Sequence, residues 1–266
     1  VLRYDNLSRS AGPYKWISDA GVADQGDSQA LWIPPQLPFP LGIAVGSASL
    51  HNRAGAAVHC GLGARLPAAL WAAGQVTAAG AFTDDTTDAQ DAGAGDFQMH
   101  DRSASGSGFL VSCDVPFNLL GIVQSAAGDQ VTPVKIVEYW NGSAWTDIVA
   151  SLLISDTLIG GGTGEKILCW PLPRDWAVAG SGTGVPAAAY NLRVRHTHSG
   201  AGTADPVATQ LFVGFAKMLL EQLADNGVSA LVRDHEYLFP RQCDALFPVF
   251  STASRLSIVE VDVRAY

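Results

Sequence analysis

The window from Lys135 to Arg195 constrains the fold more than any other part of this chain. VTPVKIVEYW alternates apolar and polar residues, reaches Asn141-Gly142, and turns back into SAWTDI. Asn-Gly between two such runs is the strongest short-range hairpin signal, because both residues tolerate the positive φ that a tight turn demands. Four of the seven tryptophans (Trp140, Trp145, Trp170 and Trp176) fall in the same window, beside turn residues or at the ends of alternating runs. Large aromatic side chains at such positions fix the corners of a compact antiparallel sheet.

The same pattern recurs along the chain. YNLRVRHTH reads as a strand with Leu192, Val194, His196 and His198 on one face and Arg193, Arg195 and Thr197 on the other. LSIVEVDVRAY alternates, with Val259, Val261 and Val263 inward and Glu260, Asp262 and Arg264 outward. FLVSCDVPFNLLGIVQSAAG has continuous strand-like apolar character. Gln210–Arg233 fits either a hairpin turning at Asp225-Asn226-Gly227 or a short helix capped at Asn226-Gly227, and the β-rich flanks favour the hairpin. No stretch longer than about 14 residues has helical periodicity. The expected fold is all-β: an antiparallel β-sandwich or jelly-roll-like arrangement with an extended proline-rich N-terminal arm and little helix. Residues 1–82 form the arm and an irregular Gly/Ala/Pro-rich segment, and residues 83–202 the sandwich module. Residues 203–266 form a C-terminal β segment packed with it.

In the arm, LWIPPQLPFPLGIAV places Pro34, Pro35, Pro38 and Pro40 within seven positions, which excludes a helix or central strand. A polyproline-like path follows, with Trp32, Ile33, Leu37, Phe39 and Leu41 as apolar pegs. Such an arm either straps this protein's own core or lies on a neighbouring subunit, so Trp32, Ile33, Pro34, Pro35, Leu37, Phe39 and Pro40 are the candidate subunit-contact residues. Charged residues make up 15% against 48% hydrophobic, which leaves apolar surface to hide and favours a homo-oligomer. Net charge is −9 and only Lys15, Lys135, Lys166 and Lys217 are lysines, so nucleic acid is not an expected partner. Cys60, Cys113, Cys169 and Cys243 form no C-x-x-C pair and sit among apolar neighbours, which reads as buried free thiols. VLRYDNLSRS has no apolar signal-like core and no run of 18 apolar residues occurs, so the expectation is a soluble chain in a reducing cytoplasm, without membrane contact.

Reaction chemistry finds little footing. GGGTGEK (160–166) resembles a phosphate-binding loop, but Glu165 separates Gly164 from Lys166 and Ile167 stands where a hydroxyl is required. GSGTG (180–184) lacks a β-α-β context and reads as a turn. His196 and His198, two apart on one strand face, have a spacing that suits a metal, with Asp205 as a third ligand; the plainer reading is a strand end entering a polar loop. Asp84, Asp85, Asp88, Asp91 and Asp96 lack the spacing of a calcium loop and read as solvated. No G-x-S-x-G elbow occurs. No catalytic residue, metal or cofactor is assigned, and an enzyme is not expected. The tryptophans suit sheet corners better than a sugar-stacking platform.

The series TDDTTDAQDAG (Thr83–Gly93), VPFN (Val115–Asn118), EYWNGSAW (Glu138–Trp145), W-P-x-P-x-D-W (Trp170–Trp176) and Y-x-L-R-V-R (Tyr190–Arg195) resembles a module of tailed-bacteriophage virion structural proteins. The resemblance implies a β-rich particle component: a head decoration or cement protein, a head fibre, or a tail or baseplate part. It brings no catalytic residues. The expectation is a non-enzymatic capsid decoration or cement protein, located in the virion and assembled in the host cytoplasm. Its partners would be the major capsid protein or other virion proteins, with a trimer as the favoured homo-oligomer. The alternative is a tail, fibre or baseplate adhesin that binds glycan.

Overall fold

The computed structural model describes residues 14–16, 31–32, 43–52, 58–93, 96–131, 133–148, 163–223, 228–230, 237–239, 243, 245–250 and 256–265. Its strands are β1 (Tyr14–Trp16), β2 (Leu31–Trp32), β3 (Ile43–Asn52), β4 (Val58–Arg65), β5 (Trp71–Val76), β6 (Phe82–Asp84), β7 (Phe97–Gln98), β8 (Gly108–Cys113) and β9 (Leu119–Ala126). They continue as β10 (Val134–Trp140), β11 (Trp145–Asp147), β12 (Gly164–Cys169), β13 (Tyr190–Thr197), β14 (Val207–Leu223), β15 (Val228–Ala230), β16 (Tyr237–Phe239), β17 (Ala245–Phe250) and β18 (Leu256–Ala265). Among the described residues, helix is confined to a 3-10 turn (Ala68–Leu70) and the five-residue α1 (Thr86–Gln90). The strand ladders are antiparallel, and the chain is all-β and sandwich-like, as its alternating runs require.

By internal contact the chain forms two compact units, Val1–Pro67 with Gly214–Tyr266, and Ala68–Val213. The boundaries expected at 82/83 and 202/203 both fall inside the second unit. The first cuts the β5–β6 hairpin, in which Val76 pairs with Phe82. Residues 1–82, expected to be irregular, carry β1 to β5. IAVGSASLHN in β3 is rich in small residues and shows no bulky apolar alternation, yet β18 pairs with it along most of its length. Pairing context here outweighs weak intrinsic β-propensity.

In the first unit β3 lies between β18 and the short strands β15 and β16, and β1 pairs with the far edge of β18. A second ladder places β4 between β17 and the Gly214–Leu223 part of β14. The long continuous strand β14 excludes the helix alternative for Gln210–Leu223, but the favoured hairpin does not form either: β15 pairs with β3, in a different ladder from β14. Of the stretch LWIPPQLPFPLGIAV, Leu31–Trp32 is described, paired through its backbone with Leu246 and Ala245, and residues 43–45 are described as the start of β3. Ile33, Pro34, Pro35, Leu37, Phe39 and Pro40 lie outside the described residues.

The second unit has a six-stranded sheet in the order β11-β10-β13-β8-β5-β6. A second sheet places β9 between β12 and β14, and β7 pairs with Val207–Ala208 at the start of β14. Every residue of β8 is buried, which explains why GFLVSC reads as a continuous run rather than an alternation. Phe97 of one sheet meets Phe109 of the other edge-to-face, with ring centres 5.8 Å apart. Such a contact is worth about 1 kcal/mol beyond the apolar area it buries. Gly121 of β9 lies directly beneath Phe212 of β14, whose ring occupies the space a Cβ at 121 would need. Cys113 and Cys169 are buried free thiols, in line with their apolar surroundings in the sequence, and Cys243 is buried as well.

Candidate functional site

The hairpin turns at Asn141-Gly142 as the sequence signals, but through a four-residue loop, 141–144, in which Gly142 and not Asn141 takes positive φ. Trp140 pairs with Trp145 across the hairpin, Gly142 has φ 95°, and Asn141 Oδ1 accepts hydrogen bonds from the backbone of Ser143 and Ala144. The other corner is an aromatic cluster. Trp176 packs against Phe117 at 5.2 Å, Tyr139 at 6.0 Å, Tyr190 at 6.2 Å and Trp170 at 6.4 Å between ring centres. Trp170 and Phe117 are fully buried. The Tyr139 hydroxyl donates to Asp175 Oδ1 at 2.9 Å, tying the W-P-x-P-x-D-W loop to β10. The tryptophans of this corner are core, not platform.

The arginines of β13, which alternation alone places facing outward, are held under cover. Glu138 of β10 pairs in register with Arg193, and its carboxylate accepts from Arg193 Nε at 2.8 Å and from Arg195 Nε and Nη2 at 2.7 and 2.9 Å. The Arg193 guanidinium also stacks 4.3 Å from the Trp145 ring centre. Burial pushes the Glu138 carboxyl upward, but the hydrogen bonds from Arg195 and Arg193 outweigh it and hold the pKa below the usual range. The sequence shows each charge, but not the strand register that joins them.

The opposite face of β13 carries the arrangement with the most chemical potential. His196 and His198, paired by sequence, are joined by His100 from the segment after β7, not by Asp205. The His100 ring lies 5.1 Å from that of His196 and 5.3 Å from that of His198. Asp205 instead accepts from the Arg102 backbone N–H at 2.7 Å. His100 and His196 are buried, with Lys135 opposite His196 on β10. His100 Nδ1 lies 2.9 Å from Ser107 Oγ and 3.3 Å from Ser107 O. His100 Nε2, His196 Nδ1 and both ring nitrogens of His198 are buried without a hydrogen-bond partner. Burial is the main cause that lowers His196 to about 3, and it lowers His100 as well. Burial alone brings Lys135 down to about 8. Beside His100 opens a cleft of about 210 Å³ lined by Gln75, Thr77, Thr83, Gln98, Asp101 and Ser107, among others. Among the described residues no group of three or more His, Cys, Asp or Glu side chains is placed to hold a metal ion. His100 was beyond the reach of sequence reasoning, because only the fold brings it to residues nearly a hundred positions later.

The remaining candidates resolve into structure. Lys166 is buried within β12, where its backbone pairs with Ile122, so the segment after GGGT is a strand rather than a phosphate cradle. In GSGTG, Gly182 and Gly184 take positive φ, as turn residues do. Asp84 accepts from the Thr86 N–H and hydroxyl, and Asp91 from the Gly93 N–H, so both serve local turns. Comparison with models of known families, with curated proteins and with solved structures returned no match.

Proposed function

We propose that this chain is a non-enzymatic structural protein of a tailed-bacteriophage particle, most specifically a capsid decoration or cement protein that binds neighbouring capsid subunits. The observation that supports this reading is the aromatic corner. Phe117, Tyr139, Trp170, Trp176 and Tyr190 come from four of the five segments that carry the resemblance, and they pack into one cluster. Those segments therefore work as one architectural module whose aromatic rings are spent on its own core. A protein of this kind acts by burying surface against copies of itself and its partners.

The test is binding to particles of the phage that encodes this chain, prepared without it. The full chain should sediment with them at fixed stoichiometry, and deletion of residues 33–42, the part of the arm between β2 and β3 that we assign as a clamp on a neighbouring subunit, should abolish binding while the sheets stay folded. Binding that survives the deletion overturns the clamp role of the arm. No binding to the head, together with tryptophan quenching by host polysaccharide, would replace the cement reading with a tail or fibre adhesin.

A further inference from the structure

The segment from His100 to Ser107 is stitched to the C-terminal end of β13. Gly106 N–H donates to His196 O at 2.7 Å and His196 N–H to Ser107 O at 2.9 Å. The Ser105 hydroxyl donates to His198 O and accepts from His198 N–H, at 3.2 and 3.0 Å. Between these backbone ties sit the three imidazoles, His100 on the segment and His196 and His198 on the strand. Buried polar atoms without partners are uncommon, and four of the six ring nitrogens in this cluster are in that condition. A proton on His196 is opposed by Lys135 on β10 and by any charge on His100 or His198, whereas a proton on His100 is opposed by His198 and favoured by Asp101 and Asp205, with burial outweighing them.

The nearest carboxylates favour a charged His100 through space but make their hydrogen bonds elsewhere. Asp101 accepts from the Ser103 N–H and hydroxyl at 2.8 and 2.6 Å. Asp205 serves Arg102, through the backbone N–H at 2.7 Å and an ion pair at 3.8 Å. Glu138, Arg193 and Arg195 occupy the other face of β13.

We infer that the His100–His196–His198 cluster is an acid-opened latch: neutral, it holds the 100–107 segment against β13, and protonated, it drives the segment off and widens the adjoining cleft. The inference rests on the fold and does not depend on the proposed particle role. Its direction follows from linkage. His196 and His100 titrate below the ordinary histidine value of about 6.5, so the open form binds more protons than the closed one. The latch is therefore fully closed above that pH and weakens as the pH falls through and below it. Each histidine that protonates only on opening raises the opening equilibrium constant about tenfold per pH unit.

Hydrogen exchange of the full chain between pH 7.5 and 5.0, corrected for intrinsic rates, tests the latch in a range where ordinary carboxylates stay ionised. Protection of peptides covering 99–107 and 190–198 should fall by tenfold or more per pH unit below 6.5. Peptides covering 119–126 and 164–169 should not share that slope. His196→Gln, which removes the ring that burial holds furthest below the ordinary histidine value, should make the slope shallower. Should that variant fail to fold, titration of the histidine rings of the unaltered chain by NMR decides instead. A His196 ring that resists protonation until below pH 5, with His100 also titrating below the ordinary histidine value, supports the latch. Protection independent of pH, or rings that all titrate near 6.5, overturns it.

Discussion

Strand β13 buries polar side chains on both faces, and it does so in opposite ways. On one face Arg193 and Arg195 converge on Glu138 through three charge-assisted hydrogen bonds, so the desolvated charges are compensated where they lie. On the other face His196 and His198 join His100 with no carboxylate among them, and most of their ring nitrogens go unanswered. The first arrangement suits permanent charge, and removing one partner exposes the cost of burying the others. The second is tolerable only while the rings are neutral, which makes it conditional on pH. The same backbone thus carries a fixed joint on one side and a conditional one on the other.

The largest expected effect comes from breaking the fixed joint. Glu138→Ala leaves two largely buried guanidinium groups without their carboxylate, and should cost about 3–5 kcal/mol in denaturant unfolding of the full chain. A cost below about 1 kcal/mol would mean that Arg193 and Arg195 relax to solvent and the joint is not fixed at all. A smaller loss, about 1–2 kcal/mol, is expected for Arg195→Lys, because an ammonium cannot reproduce the paired Nε and Nη2 contacts. His196→Leu sharpens the comparison from the other side. It removes a buried ring with an unpaired nitrogen, and should leave the chain about as stable at pH 7.5 but about 1 kcal/mol or more better off than the unaltered chain at pH 5.

The pH profile separates the two faces. Stability carried by the histidines is complete above about 6.5 and is lost as pH falls below it. Stability carried by Glu138, whose folded pKa is depressed, is complete above the ordinary glutamate value and is lost only as pH falls through that lower range. Glu138→Gln should therefore flatten only the more acidic limb of the profile, measured as unfolding midpoint against pH. A variant that flattens both limbs would show that the two faces are coupled through the strand.

Alternation made β10, β13 and β18 legible, because one bulky apolar face and one polar face leave little choice of period or orientation. The Asn141-Gly142 turn was legible for the separate reason that few residues accept its backbone. β3 was hidden, since Gly46, Ala48 and Ser49 carry no signal that distinguishes a paired strand from a loop. Two of the three members of the histidine cluster could be read from the i, i+2 spacing of His196 and His198. His100 could not, because its arrival depends on where β7 pairs with the start of β14. The Glu138 joint was out of reach for a related reason: opposite charges on two strands reveal nothing until the register between them is known.

The ring of Phe212 resting on Gly121 also says how this unit can vary through descent. Neither position is free to change first. An alanine at 121 meets the aromatic ring, and a smaller residue at 212 leaves a void over the bare glycine. Lineages of this chain should therefore keep the glycine and the aromatic together or exchange them as a pair, passing through a destabilised intermediate when they do.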